Sequence, residues 1–400
     1  MSNHPSTVRR ADLDWLRVFA FGFLILYHSG MAYSGWNWHL TAPTQIEWLR
    51  DCMRFVNRWR MPLVFLVSGG AVALALGSKS PLAFVKDRLK RLLLPLAFAM
   101  IVIVPPQVYL ERVFRGQFAG SFLEWLPQAF TGTYPAGNMS WHHLWFLAYV
   151  LVLTLVLLPY FLWARTPGGV VAQTAAARTM ARMGLHWLMP LPLAASLLWL
   201  APLSRNINGL VGDWNGLVYN GVLLVYGAFI FGTPALLVLL HRQRWISLAV
   251  GVVAYATLDL VFFESQGQPF SRPLYAVLSG VNTTVWLFAI VGFAARHLTA
   301  RPPFLARATE AVFPFYILHQ TVTVIAVYWI LKLGVAPTPG FLLAAAATFL
   351  VSWVIYDWVV RPIPLLRPLF GLKAAYRKIV RPLSAGSSRT RLMPNFSSER

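Results

Sequence analysis

The stretch LDWLRVFAFGFLILYHSG, Leu13 to Gly30, has the composition of a membrane-spanning helix and yet carries Asp14, Arg17 and His28. A full charge at the bilayer centre costs about 2.5–3.5 kcal/mol even on the permissive insertion scale, so ionisable residues inside a span face a polar interior and commonly serve function. Arg17 and His28 are eleven residues apart. At about 100° and 1.5 Å per residue, that spacing returns to within about 20° of one helix face after about 16 Å of rise. One face of the helix therefore carries both groups. Ala20 and Gly22 are small enough to admit a neighbouring helix, whereas Phe19, Phe23 and Ile25 suit lipid or apolar neighbours.

The rest of the 400-residue chain agrees with that reading, being 58% hydrophobic and 12% charged, about half the charged share of soluble domains. It reads as an all-α polytopic membrane protein. Apolar segments long enough to cross a bilayer, about 20 residues each, fall near 13–33, 58–76, 92–110, 141–163, 185–203, 217–240, 245–263, 273–295, 311–333 and 341–361. They predict a bundle of about ten transmembrane helices with both termini on one side. The 34 Lys and Arg against 13 Asp and Glu lie between apolar segments rather than in a basic domain. With the N-terminus inside, 24 basic residues fall on inner segments and 8 on outer loops, which places both termini in the cytoplasm by the positive-inside rule. The net charge of +21 is thereby assigned to topology and contact with anionic membrane lipid, not to nucleic acid.

Asp12 and Asp14 interrupt the leading positive region, the apolar run is long, and no small-x-small site follows it. The first segment is therefore expected to be a retained span, not a cleaved signal. The lone cysteine, Cys52, excludes an intramolecular disulfide and a cysteine-based metal cluster. No internal repeat and no Walker-type phosphate loop is present. The expected division is a cytoplasmic N-terminal segment over 1–12, a transmembrane domain over 13–363, and a basic tail over 364–400, disordered by composition. Trp36, Trp38, Trp48, Trp59, Trp125 and Trp141 crowd the outer boundary, as an interfacial belt does; some of them could also stack on sugar rings.

Several groups could carry chemistry. His28, in the outer half of the first helix, is a candidate general base, because an imidazole titrates near neutrality and can take a proton from a hydroxyl. The stretch NMSWHHLWFL, Asn138 to Leu147, puts His142 and His143 at the same boundary. The two point about 100° apart on a helix, so at most one is expected beside His28, and His143 is the deeper. The spacing of His28, His142 and His143 resembles no usual zinc pattern, and no metal site is expected. In KDRLKRLLLP, Lys86 to Pro95, Arg88 and Arg91 share a helix face and could clamp phosphates bidentately. His319, in PFYILHQT, is expected about eight residues past the start of its helix. FLVSGG, Phe65 to Gly70, predicts close helix packing through Ser68, Gly69 and Gly70, and lacks the glycine two before the serine that a nucleophile elbow requires.

Taken together, Arg17 and His28 in LDWLR…YH, FLVSG in the second span, the Arg-x-x-Arg of Arg88 and Arg91, HLWFL from His143 and YILHQ from Tyr316 resemble the membrane-bound acyltransferase 3 family. The likeness runs from about residue 10 to 365 and is greatest to the glucan biosynthesis protein C subgroup, associated with succinylation of periplasmic glucans. It implies an inner-membrane enzyme that moves an acetyl- or succinyl-type group from cytoplasmic acyl-CoA to a hydroxyl of a glycan or other acceptor outside. On that basis His28 would be the base and Arg17 would orient or bind the donor. Arg88 and Arg91 would contact the donor's phosphates, and His143 would assist near the acceptor. His319, Ser68 and Trp145 would line the cavity. One departure stands out: Ala148, Tyr149 and Val150 follow the tryptophan where many O-antigen-type relatives have a carboxylate. A multi-pass transporter of anionic or sugar substrates is the alternative; it predicts matching broken helices in two halves, and Pro105 and Pro106 have no counterpart. A membrane-bound O-acyltransferase of the other superfamily would place its key histidine late in the chain, as His319 is.

Overall fold

A computed structural model describes residues 10–263 and 271–373; the first nine residues and the tail from 374 onward lie outside it. Among the described residues the regular structure is helical throughout, with one isolated bridge between Thr133 and Met139. The first helix, α1 (Ala11–Met31), covers the stretch that opened the sequence. A strap of residues 32–46 folds back on its end, held by Ala42 N–H to Ala32 O at 2.8 Å and Ile46 N–H to Tyr33 O at 2.8 Å. It leads into α2 (Glu47–Asn57) and, almost without a break, α3 (Arg60–Leu76). The sequence had residues up to Asn57 as loop. They are helical because Leu49 and Met53, one turn apart, both bury an apolar side chain.

Next come α4 (Pro81–Arg88), five residues of π-helix over Leu89–Leu93, and α5 (Leu94–Val102). The chain then breaks where Pro105 and Pro106 restart it as α6 (Pro105–Phe114), since proline cannot continue a hydrogen-bonded ladder. After the short α7 (Phe122–Trp125), a 3-10 turn over His142–Leu144 starts α8 (Trp145–Val156). At Pro159 the chain bends by 59° into α9 (Leu158–Ala164). Most of the expected inner loop is α10 (Pro167–Met183), begun by a Thr166 side-chain cap and ended by Gly184 in the left-handed region at φ 70°. The remainder is α11 (Pro190–Ala195), α12 (Trp214–Gly232), α13 (Pro234–Phe263), α14 (Arg272–His297), α15 (Pro303–Lys332), α16 (Pro337–Val354) and α17 (Leu366–Leu369).

Among the described residues eight helices are long and apolar enough to cross a membrane, or nine if the bent pair of α8 and α9 is one span. The chain is a multi-pass membrane protein. α1 is outside that set, for it carries Asp12, Asp14, Arg17 and His28, but it packs inside the bundle against α3, α14, α15 and α16. One expected boundary moves: Arg242 and Arg244 sit within the 30-residue α13 rather than in a loop. The sequence around them, HRQRW, holds no helix breaker, whereas Gly232–Thr233–Pro234 does.

The FLVSGG packing expectation holds at atomic level. A Cβ on Gly69 would lie 1.9 Å from Leu224 O, and one on Gly227 would lie 1.7 Å from Leu66 O, so α3 and α12 touch backbone to backbone, as small residues allow in membrane bundles. Gly22 has open space instead, with nothing within 4 Å of its Cβ position, so its expected role in close approach is not realised. Gly227→Ala is expected to lower stability by about 1–3 kcal/mol or more, the usual range for overpacking, while Gly22→Ala stays near neutral. Unfolding midpoints of the two variants in the same detergent check this, and equal midpoints would contradict the contact.

Candidate active site

Three helices bring three histidines together. α1 contributes His28, the start of α8 contributes His143, and α15 contributes His319. The ring of His319 lies 5.0 Å from that of His28 and 5.1 Å from that of His143, centroid to centroid. The sequence put His319 about eight residues into its helix, as a residue lining the cavity. α15 begins at Pro303, so His319 is sixteen residues in, level with His28 at the other end of α1 from Arg17.

Local hydrogen bonds fix how two of the rings are protonated. Nδ1 of His319 faces the carbonyls of Tyr316 at 2.8 Å and Phe315 at 3.2 Å. A carbonyl only accepts, so that nitrogen carries the proton, and Nε2 is bare, buried and without a partner. Nε2 of His143 faces Ile317 O at 3.1 Å, which by the same logic leaves its buried Nδ1 bare. Nδ1 of His28 is likewise buried and unpartnered. Tyr316 closes the inner side by donating its hydroxyl to His143 O. The site thus presents imidazole nitrogens able to accept a proton, in a water-poor interior.

A second group adjoins the first. The strap carries Trp38 and His39; the Trp38 ring lies 6.5 Å from that of His28 and 5.3 Å from that of His39. His39 donates from Nδ1 to Glu111 of α6, and its Nε2 accepts from the Gln320 amide at 3.0 Å. Gln320 also donates to Gln107 at 3.1 Å, Gln107 to Thr321 at 2.6 Å, and Thr321 to Ile103 O at 2.7 Å. Glu111 receives Arg115 at 3.1 Å and the Tyr134 hydroxyl at 3.1 Å as well. Burial and the neighbouring carboxylate push Tyr134 up to about 12, so it is a hydroxyl donor at neutral pH. His142 turns to this side, its ring 4.8 Å from His39 and 4.6 Å from Tyr134, with backbone φ at 41°. A positive φ on a residue other than glycine is a strained conformation of the kind that clusters at functional sites.

The remaining expected residues are elsewhere. Arg17 lies toward the other end of α1, 3.5 Å from Asp14. Arg88 and Arg91 both bind Asp87, at 2.8 Å and 2.9 Å, and Lys79 joins them at 3.1 Å; the sequence reading had not paired them. The Ser68 hydroxyl donates to Val64 O of its own helix at 2.7 Å, which leaves it no role as a nucleophile. Trp145 packs on Phe65 and Tyr149, with centroids 5.9 Å and 5.3 Å away. Among the described residues no three His, Cys, Asp or Glu side chains are disposed to hold a metal ion.

The chain matches the acyltransferase domain of the acyltransferase 3 family over residues 10–357. It belongs to that family. The three-histidine cluster is its candidate active site. Glucans biosynthesis protein C from Salmonella paratyphi A and from Salmonella agona are each 27% identical over 189 residues, 46% of this chain and 47% of theirs. The protein of that name from Salmonella heidelberg is 26% identical over the same length. The chain spans about half the length of these curated relatives. No solved structure matches it.

His39, Glu111, Gln320 and Arg60 are the site residues the sequence reading passed over. His39 and Glu111 sat in stretches read as outer loop, and their signal was faint: a histidine between Trp38 and Leu40, and an acid directly after PPQVYL. Glu111→Ala is expected to destabilise the protein by about 1–3 kcal/mol or more, because it leaves the buried His39 Nδ1 and the Tyr134 hydroxyl without their acceptor. An unchanged unfolding midpoint would show the His39–Glu111 network to be structurally idle.

Proposed function

We propose that this chain is a ten-helix enzyme of the bacterial inner membrane, with both termini in the cytoplasm. It would transfer an acetyl- or succinyl-class acyl group from cytoplasmic acyl-CoA to a hydroxyl of a glycan at the periplasmic side. The observation that carries the reading is the cluster of bare imidazole nitrogens, with His28 on the same helix as Arg17. α1 then spans the distance between a cytoplasmic donor and an external acceptor, and the name of the glucan-biosynthesis relatives favours a glucan as acceptor.

His28 serves as the general base. Its buried nitrogen accepts the proton of the acceptor hydroxyl as that oxygen bonds to the thioester carbonyl carbon, and returns it to the departing thiolate. Such transfer contributes about 10²–10⁴-fold. His319 and His143, each held at one nitrogen by backbone carbonyls, line the same site. Arg17 orients the donor, and Arg88 and Arg91 meet its phosphates. Two arginines and a lysine on a single Asp87 leave that end of the bundle with surplus positive charge.

Mass spectrometry of periplasmic glycans from cells with and without the gene tests the reading; a missing acyl mass identifies both group and acceptor, and identical glycans would sink it. Per folded molecule, His28→Ala is expected to abolish transfer and His28→Gln to leave less than about a tenth, because loss of a base costs about 10²–10⁴-fold. Higher residual turnover would shift the role to His143 or His319. Replacing both Arg88 and Arg91 by Gln should weaken acyl-CoA binding by about 1.5–3 kcal/mol for each charged hydrogen bond lost, and Asp87→Asn should tighten it. Unchanged binding isotherms for both variants would return the pair to a plain membrane anchor.

A further inference from the structure

Arg60 begins α3 and is 7% exposed. Its guanidinium lies 3.5 Å from the ring centroid of Tyr27, the residue before His28, and its one side-chain hydrogen bond is to Asn57 at 3.5 Å. Its Nε is buried without a partner. The Tyr27 ring in turn lies 5.6 Å from that of His28, centroid to centroid. Other arginines of the bundle sit on carboxylates: Arg17 on Asp14, Arg88 and Arg91 on Asp87, Arg115 on Glu111, and Arg367 on Glu310. Among the described residues none pairs with Arg60. A buried cation without an anion is unfavourable, and a contact with an aromatic face offsets only part of that cost. The N-terminal end of α3 adds partial positive charge at the same place, with no side-chain cap to meet it. An imidazole is either neutral or positive, so the neighbouring histidines cannot supply the missing anion.

We propose that Arg60 holds an anionic oxygen of the acyl group during transfer. This deepens the acyl-CoA reading above and rests on it. Two oxygens have the required chemistry. When the acceptor hydroxyl adds to the thioester and its proton passes to His28, the carbonyl electron pair moves onto oxygen, and that oxyanion lies beside the base. Collapse restores the carbonyl, and the thiolate leaves with the proton from His28. The other oxygen is a terminal carboxylate on the acyl group itself, as a dicarboxylic donor would carry.

The test uses the full-length protein in lipid nanodiscs, a glucan oligosaccharide as acceptor, and acetyl-CoA and succinyl-CoA as alternative donors, with rates taken per folded molecule. Arg60→Gln should lower kcat/KM by about 10²–10³, the loss typical of one oxyanion donor. An equal loss with both donors assigns the oxyanion to Arg60; a loss with succinyl-CoA alone assigns the carboxylate. Arg60→Lys keeps the charge without the planar fork, should fold where the glutamine variant does not, and is expected to recover about tenfold over it. Wild-type rates in both variants would overturn the role of Arg60 and leave the acyl-CoA reading standing. A wild-type protein inert with both donors would overturn the donor assignment, and this inference with it.

Discussion

Inside a bundle of apolar helices a polar group has no water to fall back on, and the site depends on how few protein partners its histidines are given. His319 and His143 each receive backbone carbonyls at one nitrogen only. Those bonds do two things at once. The His143 bond anchors α15 to the start of α8, and both sets fix the tautomer that leaves the second nitrogen of each ring bare. A fully satisfied imidazole would be a packing residue, and a fully unsatisfied one would be free to rotate. One bonded nitrogen per ring gives orientation and leaves a lone pair on the other.

The neighbouring network is built on the opposite principle. Glu111, His39, Gln320, Gln107 and Thr321 form an unbroken chain that ends on a backbone carbonyl. Each bond polarises the next in a low dielectric, so such a chain resists local opening. It ties α6 and the strap to the residue beside His319. The rigid half of the pocket therefore holds the reactive half in place, and Trp38 lies between the two, facing both His28 and His39.

How much of this could be read beforehand follows from where each residue sits in the hydropathy pattern. Arg17 and His28 stood out because they interrupt an apolar run, and Gly69 because small residues in such a run signal close packing. Glu111, His39 and Arg60 were hidden because they belong to segments whose polarity already had an explanation. Arg60 follows Arg50, Arg54 and Arg58 and was counted with them as loop charge, although MPLVFLVSGG after it marks a helix start. Its burial is a tertiary fact, set by α2 running into α3 and by Tyr27 on α1. Helix ends failed for a local reason: basic residues at 242 and 244 looked like a boundary, but arginine does not interrupt a helix as the proline at 234 does.

The distribution of counter-ions has a catalytic consequence. At Arg88 and Arg91, an incoming phosphate meets cations that already own a carboxylate, so part of its attraction goes to displacing Asp87. Arg60 has no resident anion to displace, so a negative charge arriving there gains the full interaction in a poorly screened interior. On the proposed reading, the pull on the donor is then weak where its charge is permanent and strong where charge develops during the reaction. An enzyme accelerates only through interactions that are stronger in the transition state than in the ground state. Pairing the remote arginines with Asp87 and leaving Arg60 unpaired beside His28 is the arrangement that meets this requirement.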